Sequence, residues 1–388
     1  MSIVPASRLD TVQEYYFSRK LREIEQMNTE GHKVINLGIG SPDLPPPKST
    51  LEKANDSLFE NTAHGYQSYK GISKLRNAFT SWYKRFYGIE IDPESQVLPL
   101  IGSKEGIFHI SMAFLNPGDL VLVPDPGYPT YSSVAELVGG VVWPYKLKVE
   151  NNWYPDFDKL EKEDLSKVKI MWVNYPHMPT GTRPTKELFE QLVEFGRRHN
   201  ILICNDNPYS FILNDEPMSI FSVDNAWDVA LELNSLSKSY NMPGWRIGMV
   251  IGAQNYISSV LQVISNIQSG MFLPLQEGAI EALSSPQSWF DTLNEVYKQR
   301  RNYVWNILEE LDCEYNKDQS GMFVWGRIPE NGGSSIDYSD KILLRSSVFI
   351  TPGVIFGSQG KNYLRISLCS NVEVFKEALN RIKNNLIN

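Results

Sequence analysis

Ser235-Leu236-Ser237-Lys238-Ser239-Tyr240 sets one lysine among small hydroxyl residues, directly after the apolar run Val229-Ala230-Leu231-Glu232-Leu233. Met242-Pro243-Gly244-Trp245-Arg246-Ile247-Gly248 follows. The run reads as a buried strand, which places Lys238 at a strand end. A lysine in polar but dry surroundings can lose its proton and attack a carbonyl to form a Schiff base. Ser235 and Ser237 precede Lys238 by three and one residues, and Arg246 follows by eight. Together they could bind a phosphate beside that carbonyl. The competing reading is a surface lysine in a serine-rich turn.

Outward from this stretch, short apolar runs alternate with helical patterns, which argues for an α/β fold with a mainly parallel sheet. The runs Val97–Ile101, Leu120–Val123, Val141–Tyr145, Ile170–Val173, Ile201–Asn205, Ala230–Leu233 and Ile247–Ile251 are predicted strands. Lys104–Leu115 and Lys186–His199 carry apolar residues at spacings of three and four and are predicted helices. Beyond about residue 254 the pattern changes to long amphipathic helices, notably Trp289–Leu311. Strand-like runs follow at Met322–Trp325, Val348–Thr351 and Tyr363–Leu368, then a helix at Val372–Leu386. A chain of 388 residues exceeds the roughly 250–300 at which single cores stop growing. The expected organisation is an arm at 1–45, packing on the small domain or a partner subunit, a large domain at 46–290 and a smaller α+β domain at 291–388.

Composition narrows the partners. A net charge of −8 without a basic patch argues against nucleic acid or an anionic membrane. Cys204, Cys313 and Cys369 form no CxxC pair, and the odd count fits a reducing cytoplasm. Five histidines without HExxH spacing make no zinc motif. Met1–Arg8 lacks the apolar core of a signal peptide, and no run approaches the roughly 18 apolar residues of a membrane span.

Several other segments carry chemistry. Gly38-Ile39-Gly40 continues as Ser-Pro-Asp and so does not complete the dinucleotide pattern GxGxxG. Gly102-Ser103-Lys104-Glu105-Gly106 follows a strand and opens a helix, where free N–H groups and the positive dipole end favour phosphate. Asp125-Pro126-Gly127-Tyr128-Pro129-Thr130-Tyr131 is a turn rich in aromatics. Ile201–Asn205 leads into Asp206 and Tyr209; an aspartate there can also be a simple helix cap or turn residue. Arg365 sits mid-strand in Tyr363-Leu364-Arg365-Ile366-Ser367, and a buried arginine needs an anion. That anion is a ligand carboxylate or a structural partner.

In this order and spacing the segments resemble the class I and II aminotransferases of pyridoxal-phosphate fold type I, from Gly38 to Arg365. The resemblance implies pyridoxal 5'-phosphate as cofactor, with Lys238 joined to its aldehyde and acting as general base. It implies that Ser103 and Lys104 hold the phosphate through their main chain, with Ser235 and Arg246 beside them, and that Tyr128 stacks on the ring. It gives Asp206 the ring nitrogen, Tyr209 the ring oxygen, and Arg365 with the Gly40 N–H the substrate α-carboxylate. Tyr66 matches a tyrosine that reaches the phosphate of the other subunit, which implies a homodimer with shared sites. The segment Gln268–Gln276 loosely resembles a part of that interface. Lys104 matches a position near a distal substrate carboxylate in some relatives, which points to 2-oxoglutarate; its side chain in solvent is the other reading.

One position departs from the family pattern. The asparagine of Asn-Pro-Thr-Gly is Met178 here, in Pro176-His177-Met178-Pro179-Thr180-Gly181. A thioether cannot donate a hydrogen bond to the ring oxygen. Either Tyr209 makes that contact largely alone, with a raised Schiff-base pKa, or Met178 shapes the substrate pocket. The activity implied is amino transfer from an L-amino acid to a 2-oxo acid by a ping-pong route. The same scaffold serves carbon–sulfur β-lyases. It also serves ligand-sensing regulators, but those carry a winged helix for which the arm has no basic helix.

Overall fold

The computed structural model describes residues 3–10 and 16–386 of the chain, so residues 1, 2 and 11–15 of the expected arm lie outside the described residues. Strand β1 (Ile35–Asn36) belongs to the arm. The seven predicted strands form β2 (Val97–Leu100), β3 (Leu120–Asp125), β4 (Val141–Lys146), β5 (Val168–Val173), β6 (Leu202–Asp206), β7 (Ala230–Ser235) and β8 (Gly248–Gly252). They hydrogen-bond into one sheet in the order β2-β8-β7-β6-β5-β3-β4. Strand β8 is antiparallel to both of its neighbours and the remaining pairs are parallel. Near-continuous burial along β2, β6, β7 and β8 is what a sheet covered by helices on both faces requires.

The covering helices follow from local signals. Lys186–His199 begins at Thr185, whose hydroxyl accepts the Leu188 N–H at 3.1 Å, and ends at Asn200 with φ of 54°. Glu187 sits in its first turn and Arg197, Arg198 and His199 in its last, matching the helix dipole. Leu188, Phe189, Leu192, Val193 and Phe195 are buried, each contributing roughly 1.5–3 kcal/mol.

The C-terminal part builds a second sheet from β9 (Glu314–Tyr315), β10 (Phe323–Arg327), β12 (Thr351–Pro352) and β13 (Tyr363–Ser367). The expected single strand Val348–Thr351 is divided. Strand β11 (Val348–Phe349) pairs in parallel with β1, while Thr351 and Pro352 pair with Arg365 and Leu364. Ile350, fully buried, marks the switch between the two sheets. Helix Tyr16–Thr29 of the arm packs here too: Ile24 is buried with Leu343 and Phe349, and Lys20 Nζ lies 2.9 Å from Asp340. The long helix Gln287–Glu310 runs through position 290, and Arg300 on it holds both Asp43 oxygens at 2.6 and 2.8 Å. We propose this helix as the join between the large and small domains.

Candidate active site

Parallel strands β3, β5, β6 and β7 all end on one side of the sheet, and in open α/β sheets the crevice beyond those ends is where ligands bind. The segments leaving these strands carry Tyr128, Met178, Asp206, Tyr209 and Lys238. A cavity of about 610 Å³ opens there. Gly40, Ser103, Lys104, Tyr128, Met178, Asp206, Tyr209, Ser235, Lys238, Arg246 and Arg365 all line it. Of the residues singled out in the sequence, Tyr66 does not line this cavity; its side chain is 94% exposed on the surface.

Lys238 lies within a short turn of helix, Leu236–Ser239, capped by Ser235, whose Oγ accepts the Ser237 N–H at 3.1 Å and donates to the Ile247 carbonyl at 3.3 Å. Lys238 Nζ donates to the Gly40 carbonyl at 2.6 Å. Burial pushes its pKa down; the Cys369 thiolate form and Asp206 oppose the shift, and the Arg365 and Arg246 charges add to it. A lowered pKa eases the loss of the proton that a nucleophilic lysine must shed.

Asp206, the last residue of β6, is buried. Tyr131 donates to its Oδ2 at 2.9 Å, whereas Oδ1 is buried and meets no donor. Burial lifts its pKa to about 6, against the Tyr131 hydrogen bond and the Lys238 charge, which lower it. Tyr131 is itself fixed by stacking on Trp172, with centroids 5.1 Å apart and planes within 4°. Its phenol stays protonated, since burial and the Asp206 charge both raise its pKa. Sequence reasoning passed over Tyr131, although it closes the same aromatic turn as Tyr128.

The anion-binding corner forms where helix Ser103–Phe114 begins. Gly102, at φ of 84°, takes a backbone conformation that residues with a side chain rarely adopt, and a Cβ there would lie 2.1 Å from Arg246 Nη2. The guanidinium therefore packs directly over the helix start, with Nη1 held by the Pro243 carbonyl at 2.9 Å. A helix N-terminus beneath an arginine, with Ser235 and Ser237 nearby in the wall, suits a phosphate group. The free Asp206 Oδ1 likewise suits a protonated ring nitrogen. The residues present thus fit pyridoxal phosphate at both of its ends.

Arg365, on β13, lies between two aromatic rings, its Cζ 4.0 Å from the Phe323 centroid and 4.6 Å from that of Phe356. Its Nη2 donates to the Gly38 carbonyl at 2.8 Å, and Nη1 approaches Met178 Sδ at 3.3 Å. Met178 is thus buried against the arginine, and its own N–H is held by Asn174 Oδ1 at 2.9 Å. Asn174, also unremarked in the sequence, donates through Nδ2 to the Asp206 carbonyl and ties two strand ends together. Tyr209, buried, meets Phe323 edge to face at 5.9 Å, and burial raises its pKa. The segment carrying Tyr128 is latched to the C-terminal part of the chain: Asp125 accepts from Ser358 Oγ at 2.6 Å and the Gln359 N–H at 2.9 Å, and the Gly127 N–H meets the Phe356 carbonyl at 2.8 Å.

Among the described residues no group of histidine, cysteine and carboxylate side chains could hold a metal, and no helix is long and apolar enough to cross a membrane.

The chain is similar in sequence and fold to known proteins. The family described as aminotransferase class I and II matches residues 32–382. An LL-diaminopimelate aminotransferase of Aquifex aeolicus is 39% identical, over 98% of each chain. Its counterpart from Natranaerobius thermophilus is 37% identical over 97% of this chain and 98% of its own. Among solved structures, BacF of Bacillus subtilis superposes with a TM-score of 0.94 at 35% identity, covering 99% of this chain and 98% of that one. An aromatic aminotransferase of Pyrococcus horikoshii gives a TM-score of 0.86 at 29% identity, over 94% and 98%. With the family matched across nearly the whole chain and the fold shared throughout, the protein belongs to the class I and II aminotransferases.

Proposed function

We propose that this aminotransferase binds pyridoxal 5'-phosphate in the 610 Å³ cavity and exchanges an amino group between an L-amino acid and 2-oxoglutarate. The observation that carries the reading is the buried Asp206 Oδ1, without a donor, in the same cavity as a lysine whose pKa is pushed down. The helix start at Ser103 and Lys104, with Ser235 and Arg246, holds the phosphate. Tyr128 would cover the ring, Tyr209 would donate to the ring oxygen, and Asp206 would keep the ring nitrogen protonated. When bound, the cofactor supplies an electron sink for the carbanion at the substrate α-carbon. Arg365 and the Gly40 N–H take the α-carboxylate and fix which bond faces Lys238. Lys238 would hold the cofactor through its aldehyde and, with Nζ free, would carry the proton from the substrate α-carbon.

The test is direct. Purified protein loaded with cofactor and given an amino acid converts the bound cofactor to its amine form, and 2-oxoglutarate restores it; initial rates give parallel lines. Release of pyruvate and ammonia in place of this cycle would assign the site to β-elimination.

The surface at the exposed Tyr66 joins two segments: the His64 ring lies 6.0 Å from that of Phe272, which is 41% exposed. We place a second copy of the chain on this face, bringing Tyr66 to the neighbour's phosphate corner. A sedimentation mass of one chain, or a Tyr66→Phe variant that binds cofactor as tightly as the parent, overturns this. Free Cys204, Cys313 and Cys369 support a cytoplasmic location. Activity in a cytosolic fraction checks it.

A further inference from the structure

We propose that the amino acid exchanged with glutamate at this site carries a large apolar side chain, held by Leu21, Ile39, Met178, Phe323 and Phe356. The inference rests on the proposed function and deepens it. Once the polar walls are given to phosphate, ring and α-carboxylate, the surface that this chain leaves facing the substrate is apolar apart from the Lys104 side chain.

Ile39 is the most telling residue. The Gly38 carbonyl before it holds Arg365 at 2.8 Å, and the Gly40 carbonyl after it holds Lys238 Nζ at 2.6 Å. It is therefore bracketed by the groups that fix the substrate's carboxylate end and its amino end. A side chain leaving the α-carbon between them starts beside Ile39. Phe323 lies against this segment so closely that a Cβ on Gly40 would sit 2.4 Å from its ring.

Leu21 closes the wall from the arm. Lys20, bonded to Asp340, and Ile24, buried with Leu343 and Phe349, dock helix Tyr16–Thr29 on the small domain. Leu21, next to Lys20 and three residues before Ile24, is thereby presented to the cavity. Leu21 and Ile39 remain 39% and 44% exposed, apolar surface that an apolar side chain would cover. Met178 adds a thioether that adapts to an irregular or aromatic outline.

LL-diaminopimelate, named for the curated relatives, ends in a second ammonium and a second carboxylate. Among the described residues Asp206 is the one carboxylate lining the cavity, and it already faces Tyr131 and the cofactor ring. Setting the distal ammonium against Leu21 and Ile39 would strip its water with no carboxylate of this chain to meet it. The 2-oxoglutarate of the other half-reaction carries only a distal carboxylate, and Lys104 stands in the wall to meet it.

The experiment uses the cofactor-loaded protein with 2-oxoglutarate as acceptor and compares phenylalanine, leucine, methionine and LL-diaminopimelate as donors. Phenylalanine or leucine is expected to exceed LL-diaminopimelate in kcat/KM by about 100-fold, the range that apolar pockets give for small changes in fit. In parallel, 3-phenylpropionate and pimelate, which cannot react, are titrated against the cofactor absorbance, and 3-phenylpropionate is expected to bind at least about tenfold tighter. Leu21→Asp, on a half-exposed side chain, lowers the phenylalanine-to-glutamate ratio of kcat/KM about tenfold or more. A preference for LL-diaminopimelate, or for pimelate over 3-phenylpropionate, overturns the inference and leaves the aminotransferase reading intact. A protein that converts no donor fails the proposed function, and the two unreactive carboxylates then still decide the side-chain class.

Discussion

Two buried carboxylates sit on adjacent strands of the same sheet and are treated in opposite ways. Glu232, in the middle of β7, has both oxygens occupied: Tyr83 donates to Oε1 at 2.8 Å, and Asn205 Nδ2 and the Ile220 N–H donate to Oε2 at 2.8 and 3.0 Å. Asp206, at the end of β6, has one oxygen on Tyr131 and the other bare. Burial raises the pKa of each, and hydrogen bonds pull back in each case. A satisfied network holds loops and strands together, whereas a bare buried oxygen on a cavity wall is a socket for something that arrives later. The position along the strand decides which is which: mid-strand residues meet neighbouring protein, and strand-end residues meet the crevice.

The largest expected effect separates the two by activity. Asp206→Asn should lower kcat/KM about 10³-fold, about 4 kcal/mol, because the amide no longer holds the ring nitrogen protonated. The variant should still fold, since Tyr131 can turn to the amide. A variant within about tenfold of the parent would remove Asp206 from the chemistry.

Glu232 should behave in the reverse manner. Glu232→Ala strands the donors of Tyr83, Asn205 and Ile220 in the core and is expected to lower unfolding stability by about 3–4 kcal/mol. The urea midpoint reads this, while kcat of the fraction still folded stays within about threefold of the parent. Glu232→Gln, which can still accept at one atom and donate to the Tyr83 oxygen from the other, should recover most of the loss. An activity loss in the folded fraction that exceeds the stability change would show that the comparison misplaces Glu232.

The two carboxylates also differ in how readily the sequence discloses them. Asp206 is legible because it closes an apolar run and stands three residues before Tyr209. Glu232 breaks an apolar run, and nothing local says that Tyr83, roughly 150 residues earlier, will satisfy it. The same division runs through the fold. Lys186–His199 is plain in the sequence because periodicity, the Thr185 cap and the Asn200 stop all agree. Val348–Thr351 reads as one strand, although its halves pair with Ile35–Asn36 and Arg365–Leu364, distant segments that leave no local trace. Leu21 was invisible for the same reason: its place in the cavity wall depends on where Lys20 and Ile24 dock. Tyr131 is within reach of sequence reasoning, three residues beyond Tyr128, and its N–H donates to the Tyr128 carbonyl at 3.2 Å.

The smallest expected effect concerns the cofactor-free protein and its dependence on pH. The folded pKa of Asp206 is about 6, above the ordinary 3.8 that it regains on unfolding. A carboxyl raised in this way binds its proton more tightly in the folded state. Its contribution to stability is therefore full below pH 3.8 and is lost as the pH rises through about 6. The loss amounts to roughly 2–3 kcal/mol, at 1.36 kcal/mol for each unit of pKa. Asp206→Asn has no proton to lose, so its stability relative to the parent should rise across that window and level off above it. Thermal unfolding of both cofactor-free proteins between pH 4 and 8 measures the difference. Adding pyridoxal phosphate to the parent should flatten the curve, because a ring N–H at Oδ1 favours the carboxylate and draws the pKa back down. Glu232→Gln provides the control: it keeps Asp206, so the cofactor should flatten its curve as it does the parent's, because the network around residue 232 does not open to the cavity. A difference between parent and Asp206→Asn that stays constant with pH would mean that Oδ1 already has a partner in solution, and the contrast between socket and network would fall.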